Sequence, residues 1–78
     1  MKPVSLAGRF GAVVRDLRLA KGYTQEAFAD RCGFFRTYLS RIETGRANPT
    51  LNVIEVIASA LDLSITELFR QAEKVGVR

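Results

Sequence analysis

The sequence predicts an all-α fold of five short helices, and three observations carry that reading. Apolar residues recur at the three- and four-residue spacing of amphipathic helices. Hydroxyl residues stand where helices should begin and glycines where they should end. No stretch alternates apolar and polar residues in the way a half-buried strand would.

The first helix is expected from about Ser5 to Ala20, with Leu6, Phe10, Val13, Val14 and Leu17 as its buried stripe and Gly22 as its stop. Gly8 and Gly11 lower its helix propensity by ~1 kcal/mol each relative to alanine. Thr24 is the N-cap of a second helix, Gln25 to Cys32, with Glu26 in the first turn, where the helix dipole favours a carboxylate. That helix buries Phe28, Ala29 and Cys32, and Gly33 supplies a left-handed turn. A third helix, about Phe35 to Thr44, presents Leu39 and Ile42 to the core until the turn chemistry of Thr44 to Pro49 breaks it. A fourth, about Leu51 to Leu61, follows the cap Thr50, with Leu51, Ile54, Ile57, Ala58 and Leu61 as its main stripe. Ser64-Ile65-Thr66-Glu67 reads as a capping box and opens a fifth helix, about Ile65 to Lys74, before a frayed tail at Val75 to Arg78.

The length of 78 residues allows one domain, residues 1–78. A core of that size rarely supplies more than ~3 to 5 kcal/mol unaided. One cysteine, Cys32, and no histidine leave neither an internal disulfide nor a zinc site to support it, so association with a second copy, or a very well packed core, remains. The absent histidine also removes the commonest general base, and no set of nucleophile, base and orienting residue stands out, so an enzyme is the remotest class. No cofactor, metal or small-molecule effector is expected. Apolar runs fall far short of the ~20 residues that span a bilayer, and the first residues lead into no signal-like apolar core, so the expected setting is the cytoplasm.

Twelve Lys and Arg against eight Asp and Glu give a net charge of +4. Residues 1–23 carry +4 (Lys2, Arg9, Arg15, Arg18 and Lys21 against Asp16), residues 24–46 carry +1, and residues 47–78 carry −1. A surface facing a polyanion should therefore lie in the first half.

Residues 25–44 have a particular grammar. Two helices joined by a short turn at a steep angle need a small residue at the crossing, a glycine at the turn and apolar anchors on the second helix. Ala29, Gly33, and the pair Leu39 and Ile42 meet those needs in order, with Phe28, Cys32 and Phe34 packed beneath. This is a helix-turn-helix, whose second helix enters the DNA major groove by its N-terminal residues.

From about Arg15 to Phe69 the sequence resembles the Xre/Cro-like, or lambda-repressor-like, helix-turn-helix regulators. The matching strings are Arg15-Asp16-Leu17-Arg18, Gly22-Tyr23-Thr24-Gln25-Glu26, Arg36-Thr37-Tyr38-Leu39-Ser40-Arg41-Ile42-Glu43, Gly45-Arg46-Ala47-Asn48-Pro49-Thr50-Leu51 and Ser64-Ile65-Thr66-Glu67-Leu68-Phe69. The resemblance implies a five-helix lambda-repressor-like fold and double-stranded DNA as partner. Within that family, the short format and the string Arg36-Thr37-Tyr38-Leu39-Ser40 look like controller proteins of restriction-modification systems.

Arg36, Thr37, Ser40 and Arg41 lie on the third helix opposite its core anchors and are the candidate base contacts. Arginine pairs bidentately with guanine, and threonine offers a methyl to thymine or a hydroxyl to a base. The resemblance assigns backbone contacts to Gln25, Tyr38, Arg46 and Asn48, although Asn48 before Pro49 serves equally well as a turn former. It also implies a buried ion pair between Arg18 and Glu43 that ties the first helix to the third. Cys32 reads as a small buried hydrophobe. Phe35 departs from the family pattern, since a Ser, Thr or Asp usually caps the third helix at this place. It forfeits that cap and is expected to lie partly exposed, against thymine methyls, the DNA backbone or Tyr38.

One reading helix covers few base pairs, so such modules usually bind as two-fold dimers. Val53, Val56, Ala60, Leu63, Ile65 and Phe69, on the fourth and fifth helices (about residues 51–74), exceed what one core face needs and are the expected dimer interface, with intramolecular packing as the alternative for each. The function expected is a dimeric, sequence-specific transcriptional regulator acting on a pseudo-palindromic operator and controlling its own concentration. The alternative is an antitoxin or adaptor that uses the fourth and fifth helices to bind another protein.

Overall fold

The computed structural model describes residues 5–75, which form five α-helices and no strand: α1 (Leu6–Ala20), α2 (Gln25–Cys32), α3 (Arg36–Glu43), α4 (Leu51–Ala60) and α5 (Ile65–Lys74). The expected fraying of the tail falls outside those residues except at Val75, which caps α5 and packs against the core. None of the described helices is long and apolar enough to cross a membrane.

Hydroxyl caps start four of the helices. Ser5, Thr24, Thr50 and Ser64 each accept a hydrogen bond from the backbone N–H three residues on, at 3.1, 3.0, 3.2 and 3.0 Å. The expected capping box at Ser64 forms only in part, because the Glu67 carboxylate accepts from Arg70 and Gln71. α3 is the exception, with the extended Phe35 in the capping place and no side-chain hydrogen bond. Phe35 and Thr44 therefore flank α3, which is one residue shorter at each end than expected, and Leu61 likewise caps α4.

Four helices end in one way. The chain turns into the left-handed region at Gly22, Gly33, Gly45 and Asp62, and the following N–H closes on a carbonyl five residues back, as Phe34 does on Ala29 at 2.8 Å. Asp62 is a stop the glycine pattern does not reveal, although aspartate tolerates this backbone better than most side chains.

α1 packs against α3 and α5, α2 against α3 and α4, and α4 against α5. Val14, Phe28, Leu39, Ile42, Ile57, Leu61 and Leu68 fill the space between them. Gly11 is where α1 meets α3: a Cβ there would overlap the Ile42 carbonyl oxygen and the Glu43 backbone. Nearby, a Cβ on Gly45 would come within 2.8 Å of the Gly8 Cα. Gly11, which weakens α1 as an isolated helix, is thus what lets it approach α3.

Several expectations are corrected. Leu51 is 81% exposed and Leu6 half exposed, because each is the first residue of its helix and has neighbours on one side only. Ala60, expected at a dimer interface, is only 7% exposed and belongs to the chain's own core, with Arg31 of α2 donating to its carbonyl oxygen. Phe69, expected there too, packs on Phe10 of α1 with ring centroids 5.5 Å apart.

Candidate nucleic-acid interface

α2, the turn at Gly33 and α3 form a two-helix unit with Phe28, Ala29, Leu39 and Ile42 buried between it and the rest of the bundle. Burying Leu39 and Ile42 turns the opposite face of α3 outward. Arg36, Thr37 and Arg41 are exposed there and Ser40 is half-buried. Thr44 Oγ1 donates to the Ser40 carbonyl, and Arg41 donates to the Arg46 carbonyl at 3.4 Å. Arg41 thereby bends toward the loop that carries Arg46 and Asn48, both exposed.

A polar network holds this unit to α1. Arg18 is buried and donates to both Glu43 carboxylate oxygens, Nε at 2.7 Å and Nη2 at 3.0 Å, while its third nitrogen donates to the Tyr23 carbonyl at 2.7 Å. The bidentate match satisfies the charge of both groups and fixes their geometry. Gln25 donates to Glu43 at 3.0 Å, and its own amide oxygen accepts from Arg36 at 3.5 Å. A chain of contacts therefore runs from α1 through the end of α3 and the start of α2 to the first residue of α3. Gln25, expected at the DNA backbone, has one amide hydrogen committed to Glu43 and keeps the second for another partner.

Tyr38 is half-buried at the flank of α3, where its ring meets Phe34 edge to face at 5.5 Å. Phe34 is thus the aromatic neighbour of Tyr38, and Phe35 stands clear at 83% exposure. Arg31, part of the positive first half, is turned away from the reading face: its guanidinium lies 5.8 Å from the centre of the Tyr23 ring, and its Nε donates toward α4. Burial pushes the Cys32 thiol up to about 11, which leaves it un-ionised at neutral pH. Of the expected dimer residues, Val56 (38%) and Ile65 (42%) are exposed, and Val53 and Leu63 are half-buried. The sequence reading missed the close approach at Gly11, the Tyr23 carbonyl and the turn of Arg31 toward Tyr23 and α4. Only Gly11 left a trace, in its three-residue spacing from Gly8.

A small, glycine-turned two-helix unit with an outward basic face is the arrangement shared by a known group. Residues 9–70 match the family described as the helix-turn-helix domain. The chain belongs to this family. The control protein C.MunI of Mycoplasma sp is 40% identical over 67 residues, covering 85% of this chain and 90% of the relative. The structure of the restriction-modification controller protein C.AhdI from Aeromonas hydrophila matches with a TM-score of 0.76 and 40% identity, over 80% of this chain and 94% of that one. The controller protein C.Esp1396I, solved as a tetramer in complex with its natural 35 base-pair operator, matches with a TM-score of 0.81 and 33% identity, over 92% and 95% of the two chains. The all-α, five-helix expectation and the family resemblance both hold.

Proposed function

We propose that residues 1–78 form one domain that acts in the cytoplasm as a transcriptional regulator, binding double-stranded DNA as a homodimer on a pseudo-palindromic site. The observation that carries this reading is the outward face of α3, where Arg36, Thr37 and Arg41 are exposed on a helix braced by buried polar contacts. In this reading Arg36 and Arg41 pair with guanines, Thr37 and Ser40 touch neighbouring bases, and Gln25, Tyr38, Arg46 and Asn48 hold the DNA backbone. Val53, Val56, Leu63 and Ile65 join two copies so that their reading helices meet successive major grooves, ~34 Å apart. The likeness to control proteins, one of them solved on its operator, supports placing the chain among regulators of restriction-modification systems.

The test is selection from random duplexes with the wild type and with Arg36→Ala, alongside sedimentation of the free protein. A pseudo-palindrome should emerge, the variant should relax one position in each half-site by ~1 to 3 kcal/mol, and affinity should fall with salt at a log-log slope of ~−0.9 per neutralised phosphate. No enriched sequence removes the regulator reading, and a monomer at high concentration removes the dimer. The exposed Leu51 lies outside the proposed dimer residues and favours, as a second reading, an adaptor that also binds another protein. Leu51 remaining open to solvent when the DNA-bound dimer is footprinted would support that alternative.

A further inference from the structure

Among the described residues, α3 is the one helix whose first turn receives no side-chain hydrogen bond, whereas Ser5, Thr24, Thr50 and Ser64 each cap theirs. The residue in the capping place is Phe35, which at 83% is the most exposed large apolar side chain described. The fold gains nothing visible from it: it forfeits a cap, and the neighbouring aromatic pair is made by Phe34 and Tyr38. Its backbone is nevertheless fixed, since its carbonyl oxygen accepts from the N–H groups of Tyr38 and Leu39 at 3.1 and 3.2 Å. Phe35 is therefore an apolar ring anchored to the turn that carries Arg36 and Thr37.

We infer that Phe35 is a specificity-determining residue that lies against the 5-methyl group of a thymine, at a base pair beside the one Arg36 meets. This rests on the DNA-binding reading above. The N-terminal end of the second helix is the part of a helix-turn-helix that reaches the base edges. The thymine methyl is the apolar group the major groove presents, and a phenylalanine can read it by contact alone. The sugar-phosphate backbone offers charge where this ring offers none. The exposed apolar residues proposed for a second copy, Val56 and Ile65, lie on α4 and α5 and not beside Phe35.

The experiment takes a duplex enriched by the wild type and replaces each thymine in turn by deoxyuridine, which removes only the methyl group. Wild-type affinity should drop about fourfold at one position in each half-site, the worth of one buried carbon of this kind. Phe35→Ser, which restores a hydroxyl cap, should melt at or above the wild-type temperature and bind thymine and deoxyuridine equally at that position. Arg36→Ala should keep the thymine preference there while relaxing its own base pair. Equal wild-type binding with every deoxyuridine, or a Phe35→Ser protein that keeps the preference, overturns the assignment and leaves the DNA-binding reading standing. Failure to enrich any duplex removes both.

Discussion

The two halves of the bundle are held together by different forces. α1, α2 and α3 are joined by a buried bidentate ion pair, an amide bridging to it, and a backbone approach that admits no side chain at Gly11. α4 and α5 are joined to the rest mainly by apolar side chains such as Ile57, Leu61, Leu68 and Ala72, with Val56 and Ile65 left exposed. Directional contacts have one good geometry, and apolar contacts have many. The half that carries the reading helix is therefore oriented by directional contacts, and the half that is proposed to meet a partner is held in place mainly by apolar packing.

Breaking the ion pair should have the largest effect. Arg18→Ala leaves Glu43 buried without its cation, and loss of one member of such a pair costs about 3 to 5 kcal/mol. Most of the stability a domain this small can hold would go, so the variant should be largely unfolded by circular dichroism and fail to bind DNA for that reason. A well-folded Arg18→Ala protein that binds weakly would show instead that the pair acts on the interface and not on the fold.

Gly11→Ala should come next. The added methyl would press on the Ile42 and Glu43 backbone, which cannot rotate away as a side chain would, so thermal or urea melting should report a loss of about 1 to 3 kcal/mol despite the better helix propensity of alanine.

The smallest effect concerns Cys32, an apolar site inside the polar half. Its folded value of about 11 lies above the ordinary 9.0, because burial opposes the thiolate. The sign follows from the unfolded chain, which ionises its thiol first as pH rises. The contribution to stability is full below about 9 and is lost as pH climbs through about 11. Stability measured across that window should fall more steeply for the wild type than for Cys32→Ala. At pH 8 the thiol should alkylate more slowly than a free thiol, because burial leaves less of it as the thiolate.

Much of this was legible from local chemistry. Hydroxyl caps at Thr24, Thr50 and Ser64 marked three helix starts, because a cap acts within three residues of sequence, whereas Ser5, read as the first residue of α1, is its cap. α2 and α5 fall at their expected bounds, and Phe35, read as uncapped and partly exposed, makes no cap and is exposed more fully than expected. What was misread depends on neighbours distant in sequence. Leu51 and Ala60 sit on the same apolar helix, yet one is open to solvent and the other is in the core, and helical periodicity alone could not separate them.

Local sequence sets the number and order of helices, the turn between α2 and α3, the basic first half and the outward set Arg36, Thr37 and Arg41. Each depends on caps, glycines, charge or periodicity, which are properties of a residue and its near neighbours. The folded arrangement alone reveals that Gly11 is a crossing point, that Arg31 turns toward α4, that Ala60 belongs to the core and Phe69 packs on Phe10, and that Gln25 links Glu43 to Arg36. Those contacts join residues as many as 59 positions apart, as Phe10 and Phe69 are, and the chain has to fold before they have partners.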